Sequence, residues 1–160
     1  MDDNALKKEL IELLKGGQAH STLEEVLKCL KPELCNRRPQ EGTRSVYEEL
    51  EHMRLAQEDI LRYALDPAWK SPERPDGFWP FDNDEMTEEI LSNTVSQFFS
   101  DLNEVIALVK NQKFDLTALI PHGECHTYLR EVLLVADHNA YHLGKIVRTL
   151  SQLEERNCST

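Results

Sequence analysis

Two histidines, His138 and His142, stand four residues apart in VADHNAYHLGKIV, residues 135–147. On a helix this spacing puts both imidazoles on one face, one turn apart, close enough to reach a single ion. Lys145 continues the row, and Tyr141 lies next to it as a pocket candidate. Leu134, Val135 and Ile146 flank the row, while Leu129, Val132, Leu133, Ala136, Leu143 and Val147 make a separate apolar stripe. A histidine row between apolar shoulders is what a helix lining a cavity presents. The pair alone fits two ordinary helix residues equally well, so a metal site needs a third ligand from elsewhere in the chain.

Four other histidines are available. His52 falls at the margin of the apolar face of a helical segment, and bundle metal sites are built by side chains from facing helices. His122, in the loop sequence IPHG, is placed either to fold back over the site or to end a turn. His126 is three turns from His138, too far along a helix axis to share its ion. His20 precedes a helix start and reads as a surface or capping residue. Glu48, one turn before His52, is in reach to accept a hydrogen bond from an imidazole N–H and orient it. Asp137 points about a quarter-turn away from His138, by the roughly 100° step of a helix, and reads as an exposed acid.

Three neutral imidazoles on a divalent ion leave positions for water or substrate, the open arrangement of catalytic sites. Zinc or nickel are the leading candidates, and iron or manganese also accept such ligands. A zinc ion brings its water to a pKa of about 7, which supplies a nucleophile at neutral pH. No general base or covalent nucleophile is assigned. Cys125 and His126 are adjacent, but neighbouring positions at a helix start do not make their side chains meet.

The elements that must position these residues are helical. Leu6, Leu10, Leu13 and Leu14 mark a helix from about Asp3 to Lys15, stopped by Gly16 and Gly17. A short helix follows, with Ser21 or Thr22 as its N-cap and Glu24 or Glu25 completing a capping box, and Pro32 discourages its continuation. Ser45 and Glu48 stand at capping-box spacing before the second long helix, which carries His52 and runs to about Tyr63. A third runs from about Asp84 to Lys110 and a fourth from about His126 to Glu155. Between the second and third long helices lies DPAWKSPERPDGFWPFDND, residues 66–84, with four prolines. At roughly 3.3 Å per extended residue it is long enough to span a helix, so the helices it joins can run parallel. Its aromatic residues Trp69, Phe78, Trp79 and Phe81 read as packing anchors. Four sizeable helices around one core make an all-α four-helix bundle with a long crossover.

At 160 residues the chain fits one domain, residues 1–160, with a substantial core. Its 29 acidic against 18 basic residues, a net charge of −11, argue against nucleic acid and anionic membranes as partners. No apolar run reaches the length of a membrane span, and the opening residues MDDNALKKELIELL are expected to be helix and not a secretory signal. The four cysteines, Cys29, Cys35, Cys125 and Cys158, show no C-x-x-C spacing. A cytoplasmic location is the default expectation.

The segments YEELEHMRLAQEDILRYALDP, SPERPDGFWP and IPHGECHTYLREVLLVADHNAYHLGKIV, in this order, resemble the DinB/YfiT superfamily. The resemblance runs from about Ala19 to Leu150. It implies a metal-binding four-helix bundle with a crossover between helices 2 and 3. The family's triad, one histidine from the second helix and an H-x-x-x-H pair from the fourth, falls on His52, His138 and His142. It further implies a homodimer and a small-molecule substrate or thiol, with relatives resembling metal-dependent hydrolases or low-molecular-weight-thiol transferases. The non-enzymatic alternative is a dimerising, stress-related binding bundle with a weak or empty metal site. Relatives often read HLGQ where this chain reads HLGK. Lys145 is thus expected either to weaken the site, to meet an anionic substrate, or to pair with a carboxylate such as Glu48.

Overall fold

A computed structural model describes residues 3–80 and 86–157. Among these residues all regular structure is helical apart from one isolated antiparallel bridge, Leu119 to Thr127. Helix α1 spans Asp3–Lys15 and stops where Gly16 takes φ +72°, a conformation that favours glycine. Helix α2, Leu23–Lys28, begins at the capping box of Thr22 and Glu25. Helix α3, Val46–Leu65, begins at that of Ser45 and Glu48. Helix α4, Glu88–Lys110, is capped by Thr87, whose hydroxyl accepts from Ile90 N at 3.2 Å, and helix α5 is Tyr128–Asn157. The expected α4 start at Asp84 lies outside the described residues, as does Phe81.

Cross-helix bonds fix the topology. Thr94 donates to Glu51 (2.8 Å), Gln57 to the Phe98 carbonyl (2.7 Å) and Arg62 to Glu104 (2.8 Å), so positions on α3 and α4 rise together. The two helices therefore run parallel, as the long linker allows. Against α5 the order reverses: Glu49 meets His142, Gln57 meets Asn139, and Tyr63 meets His126. Lys7 of α1 reaches the Asn111 and Phe114 carbonyls beyond the end of α4, at 3.0 and 3.1 Å. The other end of α1 faces Phe98 and Leu102, so α1 is antiparallel to α4.

The core lies between these four helices, with Leu50, Met53, Phe98, Val105, Val109, Val135 and Ile146 all buried. Burying each such side chain favours folding by about 1.5–3 kcal/mol. Gln57 is fully buried among them, and its amide joins α3 to α4 and α5 at once. The crossover is pinned as its aromatic residues suggest. The Trp69 indole N–H donates to Asp59 at 2.8 Å, and a short 3-10 turn, Asp76–Phe78, buries Phe78. That turn delivers the crossover to the face of α3 that carries His52.

Candidate metal centre

His52 stands two turns into α3, and His138 and His142 stand mid-way along α5, where the antiparallel pair brings them together. Each contributes one ring nitrogen, and the three atoms lie within 4.8 Å of one another. His52 Nε2 and His138 Nε2 are 3.2 Å apart. Two ligands on an ion at about 2.0–2.1 Å stand at about this separation in tetrahedral geometry. His142 is buried, and the other two rings are partly buried.

The remaining ring nitrogens decide which atoms are free to bind. His52 Nδ1–H donates to the Phe78 carbonyl at 2.7 Å. His142 Nδ1–H donates to Glu49 Oε2 at 2.6 Å. Both bonds place the proton on Nδ1 and leave the Nε2 lone pair available, as imidazole ligands require. His138 Nδ1 is buried and has no hydrogen-bond partner among the described residues. Burial, with His142 and His52 close by, pushes the His138 imidazolium down to about 4. Burial also lowers His52, against the pull of the Phe78 carbonyl. Neutral imidazoles are the form that ligates a metal, so the donor set fits a divalent ion.

Glu49 is the acid of the site. Its Oε1 holds the Lys145 ammonium at 2.9 Å while Oε2 takes His142. Burial alone would raise this carboxyl, but the bonds from His142 and Lys145 outweigh it and hold it below the ordinary value. Glu48, expected beside His52, turns the other way. It completes the Ser45 cap and pairs with Arg38 (2.6 Å) and Arg44 (2.7 Å). Lys145 accordingly pairs with Glu49 and not with Glu48. The sequence holds one signal for Glu49: it is an acid flanked by Val46, Leu50 and Met53, inside the apolar stripe of its helix.

Trp79 closes the site from the crossover. Its ring stacks on His52 at 4.0 Å with 6° between planes, and the Arg44 guanidinium lies 4.5 Å from its centroid. Tyr141 is exposed and meets His142 edge-on at 4.9 Å. His122 does not reach the triad. Its Nε2 donates to the Tyr63 carbonyl at 2.7 Å, eleven residues and about 16 Å along α3 from His52. His126 faces Tyr63 and Glu131, each at 3.4 Å, and Cys125 is exposed. Beside His52 and His138 opens a cleft of about 270 Å³, walled by Ala56, Ile60, Phe78, Trp79 and Leu134.

A parallel-crossover helical bundle with three histidines converging from its second and last long helices defines a class of protein. The family model of the DinB superfamily matches residues 17–146, and the chain belongs to that superfamily. Its fold is similar to the crystal structure of a protein from Exiguobacterium sibiricum 255-15 ascribed to the DinB family. The TM-score is 0.60 at 19% identity, covering 96% of this chain and 93% of that one. No curated protein matches the chain. No described helix is long and apolar enough to cross a membrane.

Proposed function

We propose that His52, His138 and His142 hold a divalent metal ion, zinc or nickel before iron or manganese, and that the protein uses it on a small molecule. The observation that carries this reading is the convergence of three ring nitrogens within 4.8 Å, with Nδ1 of His52 and His142 already engaged. A divalent ion with three imidazole ligands supplies Lewis acidity and an open position at neutral pH. Two reactions suit that position: hydrolysis, and transfer of a low-molecular-weight thiol. The carboxylate nearest the ring nitrogens, Glu49, is committed to His142 and Lys145, so it orients a ligand instead of serving as a base. The adjoining cleft gives a small substrate an apolar wall next to two of the histidines. A cytoplasmic setting and a homodimer accompany this proposal.

A second reading keeps the bundle as a non-catalytic dimerising module. Leu133, Tyr141 and Val147 are exposed along α5 and favour it. Metal content of tag-free protein, measured by plasma mass spectrometry beside His138→Ala, separates the two. Near-stoichiometric metal in the wild type, lost in the variant, supports the metal-dependent reading and directs a screen of ester, amide and thiol-transfer substrates. No metal after incubation with zinc, nickel and manganese would sink it.

A further inference from the structure

The cleft beside the histidines has a chemical asymmetry. Its walls are mostly apolar, two of the histidines line it, and among the described residues one permanent cation, Arg74, lines it as well. The other cations around the triad are already matched: Arg44 with Glu48, and Lys145 with Glu49. Arg74 has no carboxylate within ion-pair distance among the described residues. Its guanidinium instead rests on the Phe78 ring, 5.1 Å from the centroid. An arginine lying on an aromatic face keeps its fork of N–H donors available at the edge, the geometry that takes a carboxylate through two bonds. Among the described residues the one acid in the wall is Asp59, which has an oxygen engaged by the Trp69 indole N–H.

We propose that this cleft binds a small molecule with an apolar body and a carboxylate, and that Arg74 is the partner of the carboxylate. The chain carries a net charge of −11, so its average field repels anions, and a small acid needs a local cation to settle here. The apolar body lies along Ile60, Phe78 and Leu134, where it removes apolar surface from water. Asp59 disfavours a second anion at its own position, which leaves Arg74 as the end for the acid. The inference rests on the metal reading only for which end of the ligand reacts, since Arg74 would hold the carboxylate with or without an ion.

The test is titration of 3-phenylpropanoate against its neutral amide, followed by amide-proton NMR shifts, in chelator-treated and in zinc-incubated protein. The metal-free wild type is expected to prefer the carboxylate by about tenfold, the scale of a charge-assisted pair. Arg74→Gln removes that preference while binding the amide as before, and because Arg74 is exposed the variant keeps its fold. Equal binding of acid and amide by the wild type overturns the proposal, as does a preference that survives in Arg74→Gln. So does absence of binding by either probe at millimolar concentration. A preference seen only with zinc and indifferent to Arg74 puts the carboxylate on the ion and overturns it too. An Arg74-dependent preference in a protein that takes up no zinc supports the proposal while the metal reading fails, so the two failures are distinguishable.

Discussion

Glu49 joins His142 and Lys145 through one buried carboxylate, 2.6 Å from the imidazole Nδ1 and 2.9 Å from the ammonium. The hydrogen bond fixes the tautomer and orientation of the ring, whereas the lysine draws charge from the same carboxylate. The two substitutions therefore act in opposite directions. Glu49→Gln is expected to weaken zinc binding by about 10–100-fold, the usual cost of losing such an orienting group. Lys145→Gln leaves Glu49 wholly to His142 and removes a nearby positive charge, so zinc binding tightens about threefold to tenfold. Competition with a chromophoric chelator measures both, and weaker binding in Lys145→Gln would contradict this account.

Glu48 provides the contrast. It completes a helix cap and neutralises two arginines, so Glu48→Ala should lower stability by about 1–2 kcal/mol. Zinc affinity of the folded variant should stay within about twofold of wild type, because no ring nitrogen of the triad hydrogen-bonds to Glu48. Urea unfolding and the same chelator assay separate the two effects.

The difference between these neighbouring acids marks what was legible in the sequence. Local signals sufficed for the helices: Thr22 with Glu25, Ser45 with Glu48, and Gly16 all end or begin them as their chemistry requires. Convergence of His52 with the α5 pair was also legible, from face positions plus the family resemblance. Choosing between Glu48 and Glu49 was legible only in the apolar neighbours of Glu49, which mark that acid as buried without naming what it meets. Both lie about one turn from His52, and the partner of each depends on how α3 is rotated against α5. The arginines that claim Glu48 include Arg38, ten residues away in a loop. The Phe78 carbonyl was equally hidden, since a backbone acceptor leaves no residue type to read.

Acid should destabilise the metal-free protein through His138. Its folded value is lowered to about 4, against an ordinary 6.5. The unfolded chain therefore binds more protons between these values, and stability falls as pH drops from about 6.5 toward 4. The contribution is fully present above 6.5 and is on the order of 3 kcal/mol. Urea midpoints at pH 7, 6 and 5 should decline in wild type and decline less in His138→Gln.

Trp79 offers an optical readout, because it stacks on His52 while Trp69 is bonded to Asp59. Nickel or cobalt should quench tryptophan fluorescence in wild type. In Trp79→Phe, where Trp69 alone emits, the quenching should be much smaller. Equal quenching in both proteins would place the ion elsewhere.

Gln57 carries a mechanical role. Gln57→Leu strips Asn139 of its partner and leaves the Phe98 carbonyl without a side-chain donor, so stability should fall by about 2–3 kcal/mol. Thermal unfolding of the metal-free variant reads this directly.

The crossover that lets α3 and α4 run parallel also gives His52 its hydrogen-bond acceptor and its stacking partner, from Phe78 and Trp79. The segment is thus a clasp whose catch is a histidine, and an ion on that histidine would fasten both. Binding free energy at the site is then shared with the docking of a stretch of chain far from it in sequence. Removing the metal would loosen the clasp, and prising the clasp open would release the metal, because one coupling free energy governs both directions.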